Sequence, residues 1–242
     1  MALSLLEICD RALDEISSVS KPTFIVGNTD PVAVQLLACA RKVGEELVRD
    51  YDWEQLSQTA TVTTTADISL YALESDYERI APDTMWDATL YRQMRGHTAK
   101  RDWAAITNTQ VNTTGITYYW RLKGNKIQIE PAAADVFSIS YEYLSNIYCT
   151  ESDGTTDRAN GWTADTDLPK LPSDLFTNGV RYYFAKSKGL PYGEAEAEYD
   201  AVIKSRQNNN VPSEAINLAA AVTPPGQGDL RRLNIPEVIT DF

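Results

Sequence analysis

The chain has 242 residues, 43% of them hydrophobic and 10% aromatic, which is enough for one large core or two small ones. A formal net charge of −12 excludes a general nucleic-acid binder, because gripping phosphates requires a surplus of Lys and Arg on the contact face. Cys9, Cys39 and Cys149 follow no close spacing, which excludes a disulfide framework or zinc site and predicts reduced, half-buried thiols.

No apolar run approaches the roughly 20 residues of a membrane span, and residues 1–20 lack the basic start and apolar block of an export leader, so a soluble, unexported chain with no membrane partner is expected. Ser4 and Glu7 form a capping box and Leu3 with Ile8 stands at staple spacing, predicting a helix from Leu5 with Leu6, Cys9, Leu13 and Ile16 as its stripe. Residues 17–28 read as a loop. Asp30-Pro31 then opens a helix over 31–52, with Leu36, Leu37, Ala40, Val43, Leu47, Val48 and Tyr51 facing inward toward Trp53. The two helices are expected to pair as a hairpin.

The β-branched run 59–65 predicts a strand with 68–73 as its partner. Arg92, Arg95, His97, Lys100 and Arg101 then gather beside Trp103, with Thr98 as cap of a short helix through Ile106. The clearest pattern lies in 118–143. Trp120 and Leu122 alternate with polar neighbours before Gly124-Asn125, and Ile127 and Ile129 alternate after it, which is a β-hairpin signal. Past Pro131, the alternation of Phe137, Ile139, Tyr141 and Tyr143 adds a third strand to what reads as one small antiparallel sheet with one buried face.

Residues 150–170 are polar and Asp-rich, predicting a long surface loop with Trp162 as a fixed point. Pro172-Ser173 restarts helix with Phe176, Val180, Tyr183 and Phe184 on one face, and Gly189-Leu190-Pro191 stops it. A last helix over 194–206 turns Ala195, Tyr199 and Val202 inward. The fold class is therefore α+β: helical hairpins at both ends packed with a small antiparallel sheet or barrel, plus an extended C-terminal tail. The organisation expected is a helical hairpin (1–56), a β region (57–150), a polar loop (151–172), a second hairpin joining the first (173–207) and the tail (208–242).

Catalytic chemistry is hard to find. His97 is the only histidine and no G-x-S-x-G elbow accompanies it. No phosphate-cradling loop is present, and the acidic loop lacks the D-x-D-x-D-G order of an EF-hand, so neither a cofactor nor a metal is expected. A carbohydrate-binding or carbohydrate-cleaving tail component is the rival reading, with Trp86, Trp103 and Trp120 as a stacking platform, although aromatics at strand spacing are more often core. Two contact candidates stand out. Arg92, Arg95, Lys100 and Arg101 form a charged cluster that reads as a solvated face or a contact to an acidic partner, and Leu230, Arg231, Arg232, Leu233, Ile235, Val238 and Ile239 read as a docking segment or as plain disordered tail.

The order of parts carries more than any motif. A helix pair ending in Asp52-Trp53 is followed by a Thr-rich strand, by Tyr71-Ala72-Leu73 and by Asp76-Tyr77-Glu78-Arg79-Ile80. Then come Trp120-Arg121-Leu122-Lys123-Gly124-Asn125-Lys126-Ile127, Pro131 and the helix-opening Leu171-Pro172. This succession, over roughly residues 3–206, resembles the head-to-tail adaptor proteins of tailed bacteriophages, the group that includes the tail tubular protein A of short-tailed phages. Glu74 stands where such adaptors often carry Pro. The resemblance implies a non-enzymatic subunit without cofactors, assembled as a homo-oligomeric ring of twelve beneath the portal protein. It also implies double-stranded DNA passing through without sequence-specific binding, a platform for downstream tail or nozzle proteins, and a place at the head–tail junction of the virion after assembly in the host cytoplasm. An acidic chain suits a conduit that does not hold DNA.

Overall fold

In chain order the elements are α1 (Leu5–Asp14), α2 (Pro31–Asp50), a 3-10 turn (Glu54–Leu56), β1 (Ser57–Thr63), β2 (Leu70–Ala72), β3 (Tyr77–Ile80), β4 (Trp86–Asp87), β5 (Arg92–Gln93) and α3 (Lys100–Asn108). They continue with β6 (Tyr119–Leu122), β7 (Lys126–Glu130), β8 (Ser138–Ser145), β9 (Cys149–Thr150), β10 (Leu168–Pro169), α4 (Ser173–Lys188) and α5 (Gly193–Asn210). The computed structural model describes residues 2–16, 19–96, 98–108, 118–133 and 135–210. The architecture is α+β, as the patterning implies.

Helix starts follow their caps. Ser4 Oγ accepts from Glu7 N while the Glu7 carboxylate accepts from Ser4 N, and Asp30 Oδ1 accepts from Val32 N with Pro31 at the first helical position. The stripe of α1 is Leu5, Ile8, Cys9, Ala12 and Leu13, rotated away from the expected Leu6. α2 stops at Asp50, short of the expected residue 52, because Trp53 folds back and its Nε1 donates to Leu47 O at 3.0 Å. That bond satisfies one of the carbonyls a helix end leaves open. At the other end of the fold, α4 closes on Gly189 in the left-handed conformation, φ 68°. α5 runs on to Asn210 and buries Ala195, Tyr199 and Ile203, with Val202 half-buried.

α4 is the centre of the helical core: α1, α2 and α5 each pack on it, while α1 and α2 touch each other only lightly. Phe176, Val180 and Phe184 of α4 are fully buried. Gly179 admits Val43 of α2, since a Cβ there would lie 2.8 Å from both Val43 methyls. All three cysteines are free and buried rather than half-buried, because each falls on a core-facing position: Cys9 on α1, Cys39 on α2 and Cys149 on β9.

The β part has two main sheets, not one. β1, β8, β4 and β5 form the first, with β3 also on β8; β2, β7 and β6 form the second. The 119–122/126–130 hairpin pairs as expected, Trp120 opposite Ile129. β8, however, leaves the hairpin and pairs with β1, Ala60 opposite Tyr141, while β2 joins β7 instead of β1. Alternation reports which face of a strand is buried and says nothing about its edge neighbour. The facing was legible: Trp120, Ile127, Ile129, Ile139, Tyr141 and Tyr143 share one core.

The 151–170 segment is exposed over residues 152–157, 159 and 160, as its composition suggests, and turns inward beyond them. Trp162 is fully buried, and Nε1 donates to Ala40 O. The Asp165 carboxylate accepts from Ile25 N and Val26 N, and the carbonyls of Asp165 and Asp167 accept from Leu6 N and Leu5 N, the free N–H groups at the start of α1. Asp167, with no exposed surface, accepts from Thr163 N and Ala164 N, both at 2.8 Å, and from Arg158 Nε at 3.2 Å. The carboxylates here fasten one loop to another and the 163–167 turn to itself, while backbone carbonyls join the segment to α1.

Candidate assembly surfaces

Asp87 sits at the end of β4, 2% exposed, and its Oδ1 accepts from Thr89 N at 2.9 Å and Leu90 N at 3.0 Å. This fixes the turn into β5 with Leu90 53% and Tyr91 81% exposed. Tyr91 has φ 52°, a conformation that a bulky residue adopts at a cost of about 1–2 kcal/mol. An aromatic ring is thus held in water on strained backbone. Arg92 follows in β5, also exposed.

Arg95 forms a parallel bridge to Tyr119: its N donates to Tyr118 O, and its carbonyl accepts from Trp120 N, both at 2.9 Å. Thr98 N donates to Trp120 O at 3.1 Å, laying the chain along β6 before α3 begins. Ala99, not Thr98, provides the carbonyl that Trp103 N reaches. Trp103 is 3% exposed, and the Arg121 guanidinium lies 4.4 Å over its ring while Arg121 Nε donates to Gln128 at 2.8 Å. That cation–π contact joins α3 to the β6–β7 hairpin.

Of the residues singled out in the sequence, the structure brings the Arg95 backbone and α3, with Lys100 and Arg101 exposed on it, onto the hairpin. It adds Arg121, Lys123 and Lys126, which motif reading missed. The missed signal is a charge count across the whole stretch 88–129, where Asp102 is the lone acid. His97 and the tail residues Leu230, Arg231, Arg232, Leu233, Ile235, Val238 and Ile239 lie outside the described residues.

A second surface lies on the helical part. An open groove of about 1160 Å³ runs between α1, the start of α4 and the later turns of α5, lined by Glu7, Arg11, Asp14, Asp174 and Arg206 among others. Arg206 pairs with Asp174 at 2.6 Å, and Arg181 bridges Glu15 and Glu198. These pairs lock helices together.

Among the described residues no three His, Cys, Asp or Glu side chains gather as a metal cage. Asp153 instead takes the N–H and O–H groups of Thr156 and Thr155, bonds that hold its carboxyl well below the usual carboxylate range. Trp103 and Trp120 face the core at 3% and 5% exposure, which removes them from any sugar-stacking platform. No helix among the described residues is long and apolar enough to cross a membrane.

An α+β body whose conspicuous features are open charged surfaces and an exposed aromatic turn belongs to the class of proteins that work by contact. The family model described as SU10 adaptor protein matches residues 3–220, and the chain belongs to this family of phage adaptor proteins. It is thus a structural component of the head-to-tail connection of a bacteriophage. A stretch of 68 residues is also similar to phosphoglycerate kinase 1 of Cricetulus griseus, 34% identical, and of Mus musculus and Rattus norvegicus, each 32% identical. It covers 28% of this chain and 16% of the kinases, too small a share to bring their activity with it.

Proposed function

We propose that the protein is a non-enzymatic ring subunit: twelve copies close beneath the portal, extend the DNA channel and offer downstream tail or nozzle proteins a platform. The family match over residues 3–220 carries this reading. Within that family the order of elements favours a likeness to the tail tubular protein A group. In the ring the helical part, 1–56 with 173–207, faces the portal, and the β region, 57–150, continues the channel toward the tail. Double-stranded DNA passes without sequence-specific contact, consistent with the net charge of −12.

Negative-stain microscopy of the purified chain with and without portal tests this: rings of twelve on the portal are expected, and a chain that stays monomeric beside the portal overturns the reading. The tail docks on a neighbouring protein in the assembled neck through Leu230, Leu233, Ile235 and Val238. A chain ending at Asn210 should therefore occupy portal less fully, and unchanged occupancy removes the docking role.

A further inference from the structure

We infer that the lobe made by α3 and the β6–β7 hairpin is the surface with which one copy grips the acidic helical part of the next. This rests on the ring reading and specifies which faces meet. Residues 88–129 hold seven cationic side chains and a single carboxylate, Asp102, in a chain of net charge −12. The rest of the chain taken together is therefore more acidic than the total suggests, although α4 and α5 together are balanced between carboxylates and cations.

Cations outside the lobe are mixed in their partners: Arg158, Lys170, Arg181 and Arg206 each lie on a carboxylate, while Arg11, Arg41, Lys42, Lys186, Lys188 and Lys204 are exposed and form no ion pair among the described residues, so what sets the lobe apart is its shortage of acid. On the lobe Arg95, Lys100, Arg101, Lys123 and Lys126 are exposed and form no ion pair among the described residues. Their positions are fixed beforehand, because Arg121 over Trp103 joins α3 to the hairpin and so holds Lys100 and Arg101 in a set relation to the Lys123–Lys126 turn. Preorganised charge loses less entropy on contact.

Identical copies with a large negative charge repel unless unlike faces meet. A symmetric contact of lobe against lobe would set cation on cation. A heterologous contact of lobe against helical face matches the charges and is the head-to-tail kind of contact that a ring requires. The acidic side includes the opening of α5, where Glu194 and Asp200 are exposed, while Glu196 and Glu198 already accept from Tyr182 and Arg181.

Lys100→Glu/Arg101→Glu with Lys123→Glu/Lys126→Glu in the full chain tests the assignment. The first pair should not harm folding, since acidic residues in the first turn favour a helix. Circular dichroism checks it, and an alanine version provides a second variant. Sedimentation equilibrium of the chain alone should show self-association weakened on the order of tenfold or more in the reversed variant, and weakened by salt in the wild type. Unchanged association in a folded variant overturns the inference while leaving rings on the portal intact. Wild-type pairs that depend on the lobe but never close into rings sink the ring reading and keep the contact. Electrophoretic shift of a short duplex DNA separates the other source of anionic charge: tight duplex binding lost in the variant, with self-association unaltered, assigns the lobe to phosphate and overturns the inference.

Discussion

Replacing Arg79 with Ala should cost more than any other exposed-surface change in the protein. From β3 the side chain reaches the end of α2, where Nη1 donates to Val48 O and Arg49 O, both at 2.9 Å, Nη2 to Tyr51 O, and Nε to the Asp52 carboxylate at 2.7 Å. Helix-end carbonyls have no partner within the helix. Hydrogen bonds from a charged donor contribute about 1.5–3 kcal/mol each. Arg79 is 30% exposed, so water recovers part of this; Asp52 is 71% exposed, and its pairing adds only about 0–1 kcal/mol. The net expectation is a loss of about 2–4 kcal/mol, or roughly 5–15 °C in Tm for a body of this size. Arg79→Lys keeps the charge without the fork and should recover less than half. Asp52→Ala should cost below about 1 kcal/mol. Urea unfolding followed by circular dichroism and tryptophan fluorescence measures all three. An Arg79→Ala chain within about 0.5 kcal/mol of wild type, or an Asp52→Ala chain equally impaired, refutes the clamp.

Gly44→Ala would ordinarily gain about 1 kcal/mol in a helix, yet its Cβ would lie 2.5 Å from the Tyr148 ring, so a net loss of about 1–3 kcal/mol is expected in the same unfolding assay; a gain would show the ring can move aside. Asp167→Ala strands the N–H groups of Thr163 and Ala164 and should cost about 2–5 kcal/mol and open 151–170 to protease, while Asp167→Asn costs less; equal protease resistance in both would refute the fastening role. Burial pushes the Cys39 thiol up to about 11, the Cys149 thiol to about 12 and Cys9 further still. Thiolate is therefore scarce at mildly alkaline pH. The native chain should resist a thiol reagent and react at all three cysteines in concentrated guanidinium, and rapid native labelling would contradict the packing.

How much of this could be read beforehand depended on whether a signal was local. Capping is local: Ser4, Asp30, Pro31 and Gly189 mark ends that the structure keeps. Strand facing is also local, and Ile127, Ile129, Ile139 and Tyr141 are buried as their alternation requires. Strand partnership is not local. β1 and β8 are some eighty positions apart along the chain, and nothing in residues 59–65 favours Tyr141 over Tyr71 as a neighbour. Only the later half of 151–170 departs from a surface loop, for a related reason: composition registers Asp165 and Asp167 as charges, whereas their partners, Ile25 N, Val26 N and Thr163 N, are backbone groups that no composition reveals.

The charge cluster was legible in half. Arg92, Arg95, Lys100 and Arg101 stand close together and catch the eye, but Arg121, Lys123 and Lys126 are interleaved with Trp120, Leu122 and Ile127 and pass as the polar side of a hairpin. The Arg121–Trp103 contact and the backbone bonds of Arg95 and Thr98 to β6 make the two runs neighbours. The consequence concerns what the net charge means. Where carboxylates such as Asp165 and Asp167 already hold backbone N–H groups, they contribute little to attraction between copies. Where cations such as Lys100 and Lys126 form no ion pair among the described residues, they contribute most. Association between copies should therefore follow the unmatched lobe rather than the total of −12, and salt should weaken it even though it also screens the overall repulsion.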